Sequence, residues 1–307
     1  MKGNTDLTVY NLESGAAGPV VLILAGVHGD EYEPMLAVKQ LNGLLKAHLH
    51  CGKVLLVPIV NDTAYRHASR LGADGKDLAR CCPGDISGSE TMRAAAAVSA
   101  LIQQSDYLID LHTGGRLFDI YPMAGYMLHA DPQILDKQRE MAKAFGLPGI
   151  WGTDTKPNGR TLSVARDAAV PAIYVEFGGP GPIRDIVITS YVQGCMQVLE
   201  HLGMLKQYTE AMCDWEGYTA FFKEDSKPES GYLQGKMLAS CEGVFKVSVK
   251  VGQRIVTGQM WGEICDPKTG LVTQIKAESN GLVLFVRSEP FVKIGESLGG
   301  ILELDGE

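Results

Sequence analysis

The chain has 307 residues, 45% hydrophobic and 21% charged, enough to bury a large core in one main domain and leave room for a small second one. A formal net charge of -8 with 28 Lys and Arg argues against a nucleic-acid partner, since phosphate binding needs clustered cations, while a local basic pocket for an anionic small molecule fits. Residues 1–6 are polar, no stretch is long and apolar enough to span a bilayer, and the seven cysteines lack CxxC spacing. We therefore expect a cytoplasmic protein with reduced thiols and no membrane partner, compatible with a homo-oligomer.

Up to about residue 205, short apolar β-branched runs alternate with longer helical patterns, which predicts an α/β domain with helices on both faces of a largely parallel or mixed sheet. Strands are expected at 20–25, 54–60, 107–111 and 172–175, and helices at 34–46, 90–104, 132–145 and 185–202. Each strand runs into a polar cluster: His28 to Glu31, Asn61 and Asp62, His112 to Gly115, and Glu176 to Gly179. Ligands of open α/β sheets bind at the carboxyl ends of strands, so the four clusters point to one pocket, whose extent depends on loops expected between Asp119 and Thr161. Adjacent Cys81 and Cys82 suit burial better than shared metal ligation.

Beyond about Lys206 an aromatic stretch and a polar linker at 223–231 lead into short alternating strands, so we divide the chain into domains 1–210 and 211–307. Gly243-Val244-Phe245 recurs as Gly281-Leu282-Val283, and 253–259 as 290–296, an approximate duplication that suggests a small pseudo-symmetric β-sandwich. This segment resembles the barrel-sandwich hybrid of biotinyl and lipoyl carrier domains. Lys268 sits in a turn but lacks the Met-Lys context of a modified carrier lysine, and is expected to be an ordinary turn residue.

The chemistry begins with His28 and Glu31, three positions apart just beyond a strand and able to face one ion. His112, beyond a second strand and followed by Thr113-Gly114-Gly115, supplies a third ligand. Two His and one carboxylate form the donor set of hydrolytic zinc sites with a coordination position left for water, so one Zn2+ per chain is expected. Asp110 is placed to orient an imidazole. His48, His50, His67, His129 and His201 show no ligand-like context.

The blocks 26–31, 61–84, 110–115 and 174–179 together resemble the succinylglutamate desuccinylase/aspartoacylase family of zinc carboxypeptidase-like amide hydrolases, across nearly all of the first domain. The resemblance implies that His28, Glu31 and His112 are the ligands, that Glu176 is the general base, and that domain 1–210 is catalytic. A non-ligand carboxylate beside the metal can relay a proton to the departing amine. The family pattern of an Asn, an Arg and a second Arg before Pro-Gly falls on Asn61, Arg70 and Arg80. Arg70 is then the guanidinium for the oxyanion, with Arg66 its competitor, and Arg80 and Asn61 bind substrate. Arg160 is a further candidate for the acyl pocket. Where the family has Leu-Asn-Arg, this chain reads Leu78-Ala79-Arg80, and Ala79 cannot make the amide hydrogen bond.

These features imply a zinc-dependent hydrolase that cleaves the amide of a small N-acylated amino acid or diamine, with a carboxylate on the substrate. The alternatives are a metallocarboxypeptidase using the same metal set and a degenerate, non-catalytic ligand-binding relative.

Overall fold

The computed structural model describes residues 7–206 and 213–304; Met1 to Asp6 and the domain boundary at 210/211 lie outside the described residues. The chain runs β1 (Tyr10–Glu13), β2 (Val20–Leu24), α1 (Tyr32–His48), β3 (Lys53–Val57), α2 (Asp62–Arg66), α3 (Glu90–Gln103), β4 (Tyr107–His112) and β5 (Phe118–Met127). It continues with α4 (Pro132–Phe145), β6 (Gly149–Thr153), α5 (Thr161–Asp167), β7 (Ala172–Gly178) and α6 (Asp185–His201). The remainder is β8 (Phe221–Asp225), β9 (Gly243–Val247), β10 (Arg254–Ile255), β11 (Met260–Cys265), β12 (Val272–Lys276), β13 (Gly281–Arg287), β14 (Phe291–Val292) and β15 (Gly299–Leu302).

The main sheet is mixed, in the order β1-β3-β2-β4-β7-β5-β13-β10. Strands β3, β2, β4 and β7 are parallel, and β5 enters antiparallel to β7. The apolar run of β2 shows why both faces are covered. Val21 and Ile23 pack with α1, α4 and α6, while Leu22 and Leu24 pack with α3 and α5, so alternate side chains feed two cores. Local signals set the helix ends. In α4, Asp131 accepts from Gln133 N–H at 2.8 Å, Pro132 occupies the first turn, and Gly146 closes the helix with φ of +79°.

Three expectations are corrected. The strand expected at 54–60 ends at Val57, because Pro58 removes a ladder donor. The strand expected at 172–175 continues to Gly178, so Glu176 lies inside β7, paired with both β4 and β5. The stretch from Asp119 to Thr161, expected as loops around one helix, carries β5 and β6 as sheet strands on either side of α4.

The C-terminal strands make a second, four-stranded sheet, β12-β11-β9-β14, over a core that includes Trp261, Phe245, Val283 and Leu298. Strand β13 is buried along its whole length. Val283 and Val286 face that core, whereas Leu282, Leu284 and Phe285 join Phe118, Ile120 and Trp151, and β13 pairs with β5. Strand β8 likewise pairs in parallel with β6. The C-terminal part thus continues the main sheet by hydrogen bonds.

Trp261 is fully buried at the centre of the C-terminal core and donates its indole N–H to the Leu298 carbonyl at 3.3 Å. Trp261→Ala is expected to cost about 3–5 kcal/mol of stability, read by denaturant unfolding. A loss within about 0.5 kcal/mol, the range of surface substitutions, would contradict this packing.

Candidate metal centre and active-site cleft

Between β2 and α1 the chain bends so that it closely approaches α2. A Cβ added to Gly29 would lie 1.9 Å from the Ala64 carbonyl carbon, so only glycine allows the approach. The bend delivers His28 inward, and Glu31 follows as the residue that opens α1. His112 ends β4, and β4–β7 pairing places it directly opposite Glu176. His28, Glu31 and His112 are all buried, and one ligand atom from each lies within 4.8 Å of the others.

Glu31 sits between the imidazoles. Its Oε1 is 2.7 Å from His28 Nδ1, and its Oε2 is 2.9 Å from His112 Nδ1 and accepts the Thr113 N–H at 3.2 Å. Each histidine turns its other nitrogen to an aspartate, His28 Nε2 to Asp77 and His112 Nε2 to Asp110, both at 3.2 Å. Asp110 also accepts from Thr161 Oγ1, and the Tyr191 hydroxyl donates to the His112 carbonyl. The rings are therefore held with both Nδ1 atoms toward a common centre, an arrangement in which an outer carboxylate fixes the tautomer and strengthens each donor. The donor set fits a divalent zinc-type ion with an open position.

Electrostatics follow the same geometry. Burial alone would raise the Glu31 carboxyl, yet His28 and His112 pull it far below the usual carboxylate range. Burial disfavours charge on His112, but Asp110 and Glu31 outweigh it and hold the metal-free imidazole well above the usual histidine range. Asp77 is half-buried, which by itself would raise it, and its bonds to His28 and Arg70 keep it low. Burial pushes Glu176 up to about 8, and its Oε2 has no hydrogen-bond partner.

A cavity of about 120 Å³ opens beside the centre, lined by His28, His112, Glu176, Arg70, Arg80 and Arg160 among others. Arg70 donates Nε–H to Asp77 at 3.0 Å and places Nη1 3.4 Å from His28 Nδ1, so one aspartate holds both a candidate ligand and a cation. Arg66 points to solvent and pairs with Asp62 at 2.6 Å. Arg80 donates to the Ala79 carbonyl and lies 5.9 Å from the centre of the Tyr232 ring. Asn61 stands apart from these residues. It is buried as the cap of α2, accepting from Ala64 N–H at 3.2 Å, and does not line the cavity. Ala79 lines the cavity where an amide would otherwise reach it. Lys268 lies in an exposed turn whose backbone N–H bonds to Asp266.

Sequence reasoning misses Asp77, Tyr174, Gly231 and Leu233, all of which reach the cavity or its ligands. Tyr174 is accessible to a period-two reading, since it shares a strand face with Glu176. Asp77 offers only an acid between two arginines. Gly231 and Leu233 carry no signal.

The family model described as the succinylglutamate desuccinylase/aspartoacylase catalytic domain matches residues 17–202. The chain belongs to this family. Among its relatives, an N-alpha-acetyl-L-2,4-diaminobutyric acid deacetylase from Halomonas elongata is 29% identical over 296 residues, covering 94% of this chain and 83% of the relative. The crystal structure of a family member from Rhodobacter sphaeroides, a succinylglutamate desuccinylase/aspartoacylase, superposes with a TM-score of 0.85 at 25% identity, covering 96% and 88% of the two chains. The product-bound ectoine utilization protein EutE (DoeB) from Ruegeria pomeroyi shares the fold, with a TM-score of 0.84 at 23% identity over 95% and 87% of the chains. Among the described residues no helix is long and apolar enough to cross a membrane.

Protons and a metal compete for His112 Nδ1. Because Asp110 and Glu31 favour the protonated ring, zinc affinity is expected to climb as pH rises through neutrality and to fall as pH drops. Asp110→Asn should weaken affinity about 10- to 100-fold. Chelator competition at about pH 6 and about pH 8 reads both effects, and a pH-independent affinity equal in the two proteins would count against this centre.

Proposed function

We propose that the chain is a zinc-dependent deacylase, with one ion per chain, that hydrolyses the amide bond of a small N-acylated amino acid or diamine. The observation that carries this reading is the two-His, one-Glu set with an unpartnered Glu176 carboxylate and three guanidiniums in one small cavity. A family relative that deacetylates N-acetyl-2,4-diaminobutyric acid supports it. Held by His28, Glu31 and His112, zinc supplies Lewis acidity toward the amide carbonyl and acidifies water to near neutrality.

The chain's own groups do the rest. Glu176 Oε2, free of protein partners and raised by burial, takes the proton of the attacking water and returns it to the departing amine nitrogen. Arg70, steadied by Asp77, faces the charge that develops on the former carbonyl oxygen. Asp77 and Asp110 keep the two imidazoles aimed. Arg80 attracts an anionic end of the substrate, and Asn61 contributes through the α2 turn it caps.

We take residues 1–210 as the catalytic domain and 211–307 as a linker with a small barrel-sandwich unit that narrows the cleft. Gly231 and Leu233 close one side of the cavity, and Ser297 of the C-terminal part holds that segment through its hydrogen bond to the Lys236 carbonyl at 2.7 Å. Such a wall favours free N-acyl amino acids over peptides, and so a deacylase over a carboxypeptidase.

Glu176→Gln is expected to retain zinc and lose about 10²- to 10⁴-fold in kcat on N-acetyl amino acids. Full activity in this variant, or a purified protein without zinc, would overturn the reading. The base must be ionised, so kcat/KM should rise with pH along an acid limb. Its midpoint should lie below about 8, because burial raises Glu176 while a cation in the site lowers it. Arg70→Ala should lower kcat by about 10²- to 10³-fold, and a purely KM effect would remove Arg70 from oxyanion stabilisation.

A further inference from the structure

The outer face of the four-stranded sheet departs from the rule that the solvent-facing side of a sheet is polar. Register aligns one residue from each strand in a single row across it: Val272 with Cys265, Cys265 with Val244, and Val244 with Phe291. Residues directly opposed across paired strands point to the same side. That side is the outer one, because the alternate residues Phe245, Ile264 and Val292 fill the C-terminal core. Val272, Val244 and Phe291 are 49%, 41% and 48% exposed, and Cys265 is half-buried. Four apolar side chains thus stand side by side, one on every strand. Contiguous apolar surface of this kind marks an interaction site, where the same residues scattered singly would not.

Two positions along the strands, the next row on this face is polar. Lys246 is opposite Glu263 and Glu263 opposite Gln274, and Lys246 Nζ lies 3.4 Å from Glu263 Oε1. Both rows are arranged about one line, which runs along the strands midway between β11 and β9. A two-fold rotation about an axis laid on the sheet along that line brings a second copy face to face with the first. It sets Val244 against the partner's Cys265, Phe291 against the partner's Val272, and Lys246 against the partner's Glu263. Apolar side chains meet apolar ones, and each cation meets an anion, twice by symmetry. A nucleic acid would meet a like charge at Glu263, and a strongly cationic surface would meet one at Lys246. The self-complementary pattern selects a second copy of this chain.

We propose that the chain forms a symmetric dimer through the outer face of the sheet β12-β11-β9-β14, with the apolar row at its centre and the Lys246 and Glu263 pairs beside it. None of these residues lines the cavity at the metal centre, so each copy keeps its own complete site.

Sedimentation equilibrium of the full chain should give the mass of two chains at about 100 µM. Val244→Asp puts a carboxylate at the centre of the row and should raise the dissociation constant at least about 100-fold, and Phe291→Asp at the end of the row should raise it about tenfold. Both should keep the far-UV circular dichroism of the wild type, since the substituted side chains point away from the core. Lys246→Glu and Glu263→Lys each place like charges across the axis and should each weaken the dimer about tenfold. Mixed in equal amounts, these two variants should form a heterodimer, because the acid introduced in one faces the lysine introduced in the other. Native mass spectrometry with one variant isotope-labelled reads that species, and a change of fold could not produce it. The charge variants alter only exposed side chains and carry the test by themselves if an aspartate variant does not fold. A wild-type chain that stays monomeric at about 100 µM would overturn the proposal. So would a dimer that both aspartate variants leave intact, or a mixture that associates no more tightly than the single charge variants.

Discussion

The carboxylate of Glu31 is 2% exposed, and the rest of the site is arranged around keeping it ionised. A lone buried carboxylate would protonate, because desolvation of the charge outweighs what a dry interior returns. Two imidazole nitrogens and the Thr113 N–H answer it from three directions. Those imidazoles are in turn braced by Asp77 and Asp110, and Asp77 carries Arg70 with it. One buried charge thereby links β2, β4 and the loop before α3 into a unit in which moving any member leaves another unpaired.

The sheet makes that unit possible. Parallel pairing of β2, β4 and β7 brings their carboxyl ends level, and the pairing of His112 with Glu176 sets that carboxylate beside the candidate ligands without any loop having to place it. Groups mounted on a paired strand keep their positions better than groups on free loops. The antiparallel entry of β5 then floors the cavity, with Gly125 making room for Tyr174. Because β13 pairs with the first part of β5 and β6 with the second, a single strand joins the cavity floor to the C-terminal part and to the outer edge of the sheet.

Much of this is legible in the order of the residues alone. The apolar runs of β2 and β4 and the polar residues directly after them reveal strand ends, and His28, Glu31 and His112 stand at those ends for a chemical reason that spacing exposes. Asn61 is legible only as a motif position, and the fold uses it as a helix cap, a role that Asn fills by its short side-chain oxygen alone. Arg70 and Arg66 are equivalent in one dimension. Only the loop that folds back onto His28 separates the half-buried one that Asp77 holds from the solvated one.

The sequence by itself determined the α/β alternation, the polar clusters that follow the strands and the candidate donor set of His28, Glu31 and His112, because periodicity and donor chemistry are local properties. Tertiary structure decided that Glu176 lies within β7, that Asp77 serves His28 and Arg70 together, and that β13 continues the main sheet. It also decided that Val272, Cys265, Val244 and Phe291 fall in one row on the outer face of the second sheet. Those facts depend on register and on contacts between residues up to about 170 positions apart in the chain, for which no local pattern carries a signal.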